Sequence, residues 1–111
     1  MKIILEHRDR TENSMTIDKK LENTKLTISV AGKLDTVTSP KLGAEVADLS
    51  GITELVFDLA NLEQITSAGL RVLLGAQCTM EEQGKMVVRN VSEAIWEIFV
   101  LTGFVNFLTI E

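Results

Sequence analysis

A short apolar run, a polar connection and an amphipathic helix follow one another in the middle of this chain. The run at 55–57 is continuously apolar, as in a central strand that is buried on both faces. A helix is predicted over 67–83, because apolar residues recur at helical spacing after Ser67 and Gly84 provides a natural stop. A buried strand that leads through a short connection into a helix is the unit from which parallel α/β sheets are built.

Strand and helix signals alternate along the rest of the chain as well. Ser39 and Pro40 predict a helix start, with a capping hydroxyl followed by proline at the first helical position. Ser92 caps a last predicted helix, and Gly103 stops it. The predicted elements are strands at 17–21 and 25–30, a helix at 39–50, a strand at 55–57, a helix at 67–83, a strand at 85–89, a helix at 92–103 and a closing strand at 104–110. This order predicts an α/β domain with a mixed, mostly parallel sheet whose helices join the strands.

The composition fits one globular domain. A chain of 111 residues with 45% apolar and 24% charged residues can bury a modest core. The net charge of −5 argues against direct nucleic-acid binding, which usually needs a basic face. Residues 1–14 are polar after the first five and show no periodicity. We therefore predict a loosely held N-terminal extension over 1–14 and a folded domain over 15–111, with a short edge strand at 2–5 as the alternative.

Residues that could carry chemistry are few, which argues against an enzyme or a metalloprotein. The only histidine, His7, and the only cysteine, Cys78, cannot supply the three or four ligands of a metal site, and Ser67 has no evident base. No glycine-rich phosphate loop is present, so we expect no cofactor. Cys78 lies within a predicted helix and is expected to be buried or half-buried.

Targeting signals are absent from the sequence pattern. No apolar run reaches the length of a membrane-spanning helix, and the apolar residues near Met1 are too few for a signal-peptide core. We therefore expect a cytoplasmic protein without membrane insertion.

Three separated segments resemble STAS domains of the anti-sigma factor antagonist type. The first is Gly32-Lys33-Leu34-Asp35 with the helix start after it, and the second is Asp58-Leu59 followed by Ile65-Thr66-Ser67-Ala68-Gly69-Leu70. The third is the last helix, which closes in Thr102-Gly103. The order and spacing of the three segments match the family over about residues 15 to 111.

The resemblance implies a switchable binding protein. In this family the unmodified domain captures an anti-sigma factor that is itself a serine kinase, and phosphorylation of the signature serine ends the complex, which regulates sigma-factor-dependent transcription. That serine falls on Ser67, and a serine phosphatase is implied as a second partner. The implied partner-binding residues are Asp35, Thr36, Thr38, Ser67, Gly69, Leu70, Arg71 and Leu74.

The residue before Ser67 departs from the family pattern. The family usually has an acid there, whereas this chain has Thr66. Thr66 is therefore an alternative phosphate acceptor, or the switch has been lost. The plain interpretation of Ser67 is a helix N-cap, and that of Asp35 is a carboxylate that stabilises a turn.

The helix after Ser67 divides into a buried arc and an apolar shoulder. The arc that should face the sheet consists of Val72, Leu73, Ala76 and Met80. Leu70 and Leu74 point away, on the side of Gln77 and Glu81. This shoulder is either a docking edge for a partner or a contact with a neighbouring helix.

The last helix carries a second apolar face. Ile95, Ile98 and Phe99 form the expected buried stripe, which Thr102 continues. Trp96 and Val100 are neighbours on a different face. They predict an interface, including a homodimer, or a surface that the N-terminal segment covers.

The resemblance also permits functions other than anti-sigma factor antagonism. STAS-like domains also serve as regulatory subunits of membrane transport complexes, and a non-phosphorylated interaction or ligand-sensing module is a further alternative. Neighbouring genes for a kinase-type anti-sigma factor or for a transporter would separate the first two.

Overall fold

The computed structural model describes residues 4–10 and 15–111, with side chains described from Met15 onward. It contains six strands, three α-helices and one short 3-10 turn in this part of the chain. The strands are β1 Ile4–Arg10, β2 Met15–Glu22, β3 Lys25–Leu34, β4 Glu54–Asp58, β5 Leu62–Ile65 and β6 Lys85–Arg89; the helices are α1 Ser39–Glu45, α2 Ser67–Glu81 and α3 Glu93–Thr102; the 3-10 turn is Phe104–Asn106.

All six strands form one sheet in the order β1-β2-β3-β4-β6, and β5 pairs with β3 beyond the end of β4. The first three strands are antiparallel neighbours, whereas the β3–β4, β3–β5 and β4–β6 pairs are parallel. The parallel pairs are reached through helices, as the alternation of signals predicts. The predicted mixed α/β class is therefore confirmed.

The strand patterns produce the expected burial. In β3, Leu26, Ile28 and Val30 are buried while the polar residues between them are half-buried. In β4, Leu55, Val56 and Phe57 are all buried, as befits a strand between two parallel neighbours. Its continuous apolar run therefore marks the centre of the sheet.

The strand prediction is wrong in two places: it misses β5, and it adds a closing strand that does not form. β5 was not predicted, because a bulge opposite Gly32 and Lys33 turns both Leu62 and Ile65 inward and removes the alternation. The predicted closing strand at 104–110 is mostly the 3-10 turn and irregular chain, which joins the sheet only at a bridge between Ile110 and Val88.

The N-terminal strand β1 lies at the edge of the sheet. It pairs antiparallel with β2 along its whole length, from Ile4 opposite Glu22 to Arg10 opposite Thr16. The alternative edge strand at 2–5 falls partly outside the described residues. The division into an extension over 1–14 and a domain over 15–111 stays a prediction.

Candidate functional site

The end of β3 and the start of α2 meet at one edge of the sheet. Leu34 pairs with Ile65 in the parallel β3–β5 ladder, and the Thr66 backbone N–H donates to the Leu34 carbonyl over 2.9 Å. Asp35 follows Leu34 directly, and Ser67 follows Thr66. The two sequence motifs that carry these residues are therefore neighbours in the fold.

Asp35 organises the loop between β3 and α1. One oxygen of its carboxylate, Oδ1, accepts hydrogen bonds from the backbone N–H groups of Val37 at 2.9 Å and Thr38 at 3.0 Å. These bonds, with that from Thr38 as the largest cause and the nearby charge of Lys33 as the smallest, hold the pKa of Asp35 below its ordinary value of 3.8. The interpretation of Asp35 as a turn-stabilising carboxylate is thus confirmed.

The Thr38 hydroxyl closes the same loop from the other side. Its Oγ1 accepts from the backbone N–H of Asp35 at 2.9 Å and lies 2.7 Å from the Lys33 carbonyl, to which it donates. Thr38 is buried, and Thr36 is exposed. The loop is therefore fixed by side-chain bonds at both of its ends.

The helix after this loop begins one residue away from the predicted position. Thr38 is the N-cap of α1, and its hydroxyl is committed to the loop instead of the helix N–H groups. Ser39, predicted as the cap, is the first helical residue and is buried. Helix α1 also ends at Glu45, earlier than the predicted end at Ser50.

Helix α2 shows the same shift of one residue. Thr66 is extended, with φ −109° and ψ 179°, and is the N-cap, although its side chain makes no capping bond. Ser67 is the first helical residue, so the prediction that Ser67 caps the helix is wrong. The tertiary bond from Thr66 to Leu34 holds Thr66 in the extended conformation.

The two neighbouring hydroxyls have opposite environments. Ser67 is exposed, and its hydroxyl bonds to none of the described residues. The Thr66 Oγ1 atom is buried and has no hydrogen-bond partner among the described residues. Only the hydroxyl of Ser67 is therefore open to an enzyme or a partner.

Gly69 and Leu70 belong to the packing of α2. A Cβ atom on Gly69 would lie 2.7 Å from Leu34 Cγ and 2.9 Å from Ile65 Cγ1, so only glycine fits this contact without a shift. Leu70 is only 3% exposed, and Gln77 is also buried. The prediction that Leu70 lies on an exposed shoulder beside Gln77 is thus wrong. The buried arc of α2 is wider than the arc predicted from the spacing of its apolar residues.

Leu74 and Val72 are half-buried. Val72 was predicted to face the sheet; it packs against the core, and a Cβ atom on Gly43 of α1 would lie 3.9 Å from its Cγ2 atom. Leu74 remains the partly exposed apolar residue of the predicted shoulder.

A stripe of accessible residues runs along the outside of α2. Ser67, Arg71, Gly75 and Cys78 are exposed, and Leu74 lies among them at helical spacing. The exposure of Cys78 contradicts the expectation that it is buried. Arg71 follows Ser67 by one helical turn and forms no ion pair with a described residue.

Val37 is an exposed apolar residue beside the candidate site that the sequence did not indicate. Its side chain is 73% exposed, although its backbone is tied to Asp35. A single apolar residue between two threonines has no periodicity to mark it. Its placement on a fixed loop beside Ser67 makes it a candidate contact residue.

Helix α3 follows the sequence prediction more closely. Ser92 Oγ accepts from the Ile95 N–H at 3.3 Å, and Gly103 ends the helix with φ 80°. Ile95 and Phe99 are buried and Ile98 is half-buried, but Thr102 is exposed and does not continue the stripe.

Trp96 and Val100 of α3 are 42% and 49% exposed, which confirms that they lie on the outer side. Their contact with a second copy or with the N-terminal segment stays a prediction.

Within residues 4–10 and 15–111, no group of three or more His, Cys, Asp or Glu side chains is arranged to hold a metal ion. No helix in the same part of the chain is long and apolar enough to cross a membrane.

Comparisons with known proteins extend over most of the chain. A family model described as "Mlab, STAS domain" matches residues 17–109. The anti-sigma-B factor antagonist of Listeria monocytogenes is 28% identical over 96 residues, which cover 84% of each chain. The putative anti-sigma factor antagonist BtrV of Bordetella bronchiseptica is 35% identical over 78 residues, 68% of this chain and 67% of its own. An anti-sigma factor antagonist structure from Mycobacterium paratuberculosis superposes with a TM-score of 0.79 at 23% identity, over 92% of this chain and 89% of that chain.

Proposed function

Because this chain belongs to the STAS domain family, we propose that it is an anti-sigma factor antagonist whose binding is switched at Ser67. The curated relatives that carry this description support the proposal. The observation that carries it is the exposed Ser67 hydroxyl, which bonds to none of the described residues and lies at the start of a helix that packs tightly on the sheet. The surface binds an anti-sigma factor and so regulates sigma-factor-dependent transcription from the cytoplasm.

The binding surface combines the β3–α1 loop with the outer stripe of α2. Val37 supplies an exposed apolar side chain on a loop that Asp35 and Thr38 hold in one conformation. A contact residue that is already ordered loses less conformational entropy on binding than a mobile one. Ser67 and Arg71 supply the polar part of the surface.

Ser67 is the phosphate acceptor in this proposal, and Thr66 is not. A kinase must bring the acceptor hydroxyl in line with the γ-phosphate of ATP, which requires access from solvent. Ser67 offers that access, whereas the Thr66 Oγ1 atom is buried. The absence of an acid at position 66 leaves the accessibility of Ser67 unchanged.

Phosphorylation affects the complex far more than the fold. A phosphate on Ser67 adds about −1.5 to −2 charges at neutral pH. The helix N-terminus favours a negative charge by about 0.3–1 kcal/mol, so α2 keeps its place. A partner that had closed over a neutral hydroxyl would instead have to desolvate a dianion. The complex therefore dissociates, and a serine phosphatase restores the binding form.

Phosphate transfer from the cognate anti-sigma factor kinase tests this assignment. We expect label from ATP in the wild type and in Thr66→Val, and none in Ser67→Ala, which still binds the kinase. Label in Ser67→Ala that is lost in Thr66→Val would move the acceptor to Thr66. If no variant is labelled and all bind, the chain is a constitutive interaction module.

A further inference from the structure

We propose that the outer face of α3 binds a basic amphipathic segment of a partner protein. The face surrounds a shallow groove of about 360 Å³ that is lined by Trp96, Glu97, Val100 and Leu101. The three apolar residues are 42%, 49% and 85% exposed. The proposal is independent of the switch at Ser67, because none of these residues belongs to the surface around that serine.

The groove is apolar by the geometry of α3 itself. Ile95 and Phe99 are buried and Ile98 is half-buried, whereas Trp96, Glu97, Val100 and Leu101 are exposed on the other side of the helix. Trp96 lies one turn before Val100, and Glu97 lies one turn before Leu101, so the four side chains form two adjacent rows. Three exposed apolar residues that line one groove form a patch of the kind that marks interaction sites.

The charge around the groove selects its occupant. Glu93 and Glu97 are exposed, and neither carboxylate forms an ion pair with a described residue. The sequence of α3 contains no basic residue between Glu93 and Thr102. A complementary segment therefore presents lysine or arginine beside apolar side chains, and a cation placed over the Trp96 ring gains a further attraction.

A second copy of this chain fits the groove less well. A symmetric pairing of two α3 helices would bring the carboxylates of Glu93 and Glu97 of one copy close to those of the other. Like charges at an interface oppose association. The occupant is therefore a basic partner segment, and self-association is one outcome of the test.

Trp96 is the only tryptophan of the chain, so its fluorescence reports directly on this groove. The full chain is titrated with a short synthetic helical peptide that carries leucines on one face and lysines beside them. The control peptide has glutamate at each lysine position. We expect the basic peptide to shift Trp96 emission to the blue and to shield it from acrylamide, with affinity at least about tenfold above that of the acidic peptide.

A charge reversal at the groove gives a second readout. Glu97→Lys should lower the affinity for the basic peptide by about tenfold. Glu82→Lys changes an exposed acid just after α2, and it should alter this affinity by less than about twofold. An equal loss in the two variants would mean that only net charge matters, and equal binding of the two peptides would mean that charge does not select the occupant. A blue shift with rising protein concentration alone would mean that a second copy fills the groove. Each of these three results overturns the proposal.

Discussion

Gly69 of α2 lies against Leu34 of β3 so closely that a Cβ atom on the glycine would stand 2.7 Å from the leucine Cγ atom. The contact fixes the first turn of α2 on the junction of β3 and β5. Since Ser67 opens that turn, the same contact sets the position of the Ser67 hydroxyl. Glycine at position 69 of the family signature is therefore explained in this chain by the close packing of α2 on the sheet.

A glycine pair on α2 tests this contact. Gly69→Ala should lower the free energy of unfolding by about 1–3 kcal/mol, because the new methyl group overpacks Leu34 and Ile65. Gly75→Ala, which meets no atom within 4 Å, should raise it by about 0.5–1 kcal/mol. Urea denaturation measures both values. Equal stabilisation by the two alanines would show that α2 has room to move away from the sheet.

Two threonine hydroxyls allow a second matched comparison. Thr66→Val removes a buried hydroxyl that has no partner among the described residues, so the free energy of unfolding should stay within about 0.5 kcal/mol or rise. Thr38→Val removes the bonds to Lys33 and Asp35 and should cost about 1–3 kcal/mol. Thermal or urea unfolding reads out both. A large loss in Thr66→Val would mean that its hydroxyl has a partner after all.

The carboxylate of Asp35 predicts a pH dependence of stability. Its pKa in the folded chain lies below 3.8, so its contribution is fully present above pH 3.8 and is lost as the pH falls through the lowered folded value. In Asp35→Asn the free energy of unfolding should therefore fall less steeply as the pH drops below 3.8. The same variant should capture the anti-sigma factor more weakly. Asp48, whose pKa is lowered through hydrogen bonds from Ser50, supplies the control.

In that control, Asp48→Asn should also reduce the pH dependence of the free energy of unfolding at acidic pH, but it should leave capture of the anti-sigma factor unchanged. A loss of capture in both variants would mean that Asp35 acts through general stability and not through the loop. Unaltered capture in Asp35→Asn would mean that the loop conformation held by Asp35 is not needed for binding the anti-sigma factor.

Val37 predicts a specific contact with the partner. Val37→Ser should weaken capture of the anti-sigma factor by about tenfold while the unfolding temperature stays nearly constant, because its side chain packs on little of its own chain. Phe107→Ser changes another largely exposed apolar residue, at 61% exposure, outside the proposed surface. Calorimetric titration of both folded variants is the measurement. Similar affinities for the two would place Val37 outside the interface.

Local signals predicted the elements that depend on local chemistry. β6 spans the predicted residues 85–89, and α3 has the predicted cap at Ser92 and stop at Gly103. The caps of α1 and α2 were misplaced by one residue because each helix starts at a Thr–Ser pair, in which either hydroxyl could cap. Tertiary hydrogen bonds to Lys33 and Leu34 decide between them, and no local pattern contains these bonds.

Side-chain exposure was harder to predict than the elements. Leu70 is buried because Gly69 lets α2 approach the sheet, and that closeness widens the buried arc. Cys78 is exposed since it lies on the opposite side of the helix from Ala76 and Met80. For Leu70 the deciding quantity is the distance between α2 and the sheet, which the spacing of apolar residues does not contain. The exposure of Cys78, by contrast, follows from helical spacing once Ala76 and Met80 are buried.

The switch at Ser67 is tested by the affinity of the cognate anti-sigma factor for this chain with serine or with phosphoserine at position 67. Phosphoserine is introduced during synthesis of the full chain, and circular dichroism checks that the fold is unchanged. We expect phosphoserine to weaken binding by about a hundredfold or more and Ser67→Ala to bind like the wild type. Equal affinity of the serine and phosphoserine forms would contradict a switch at Ser67.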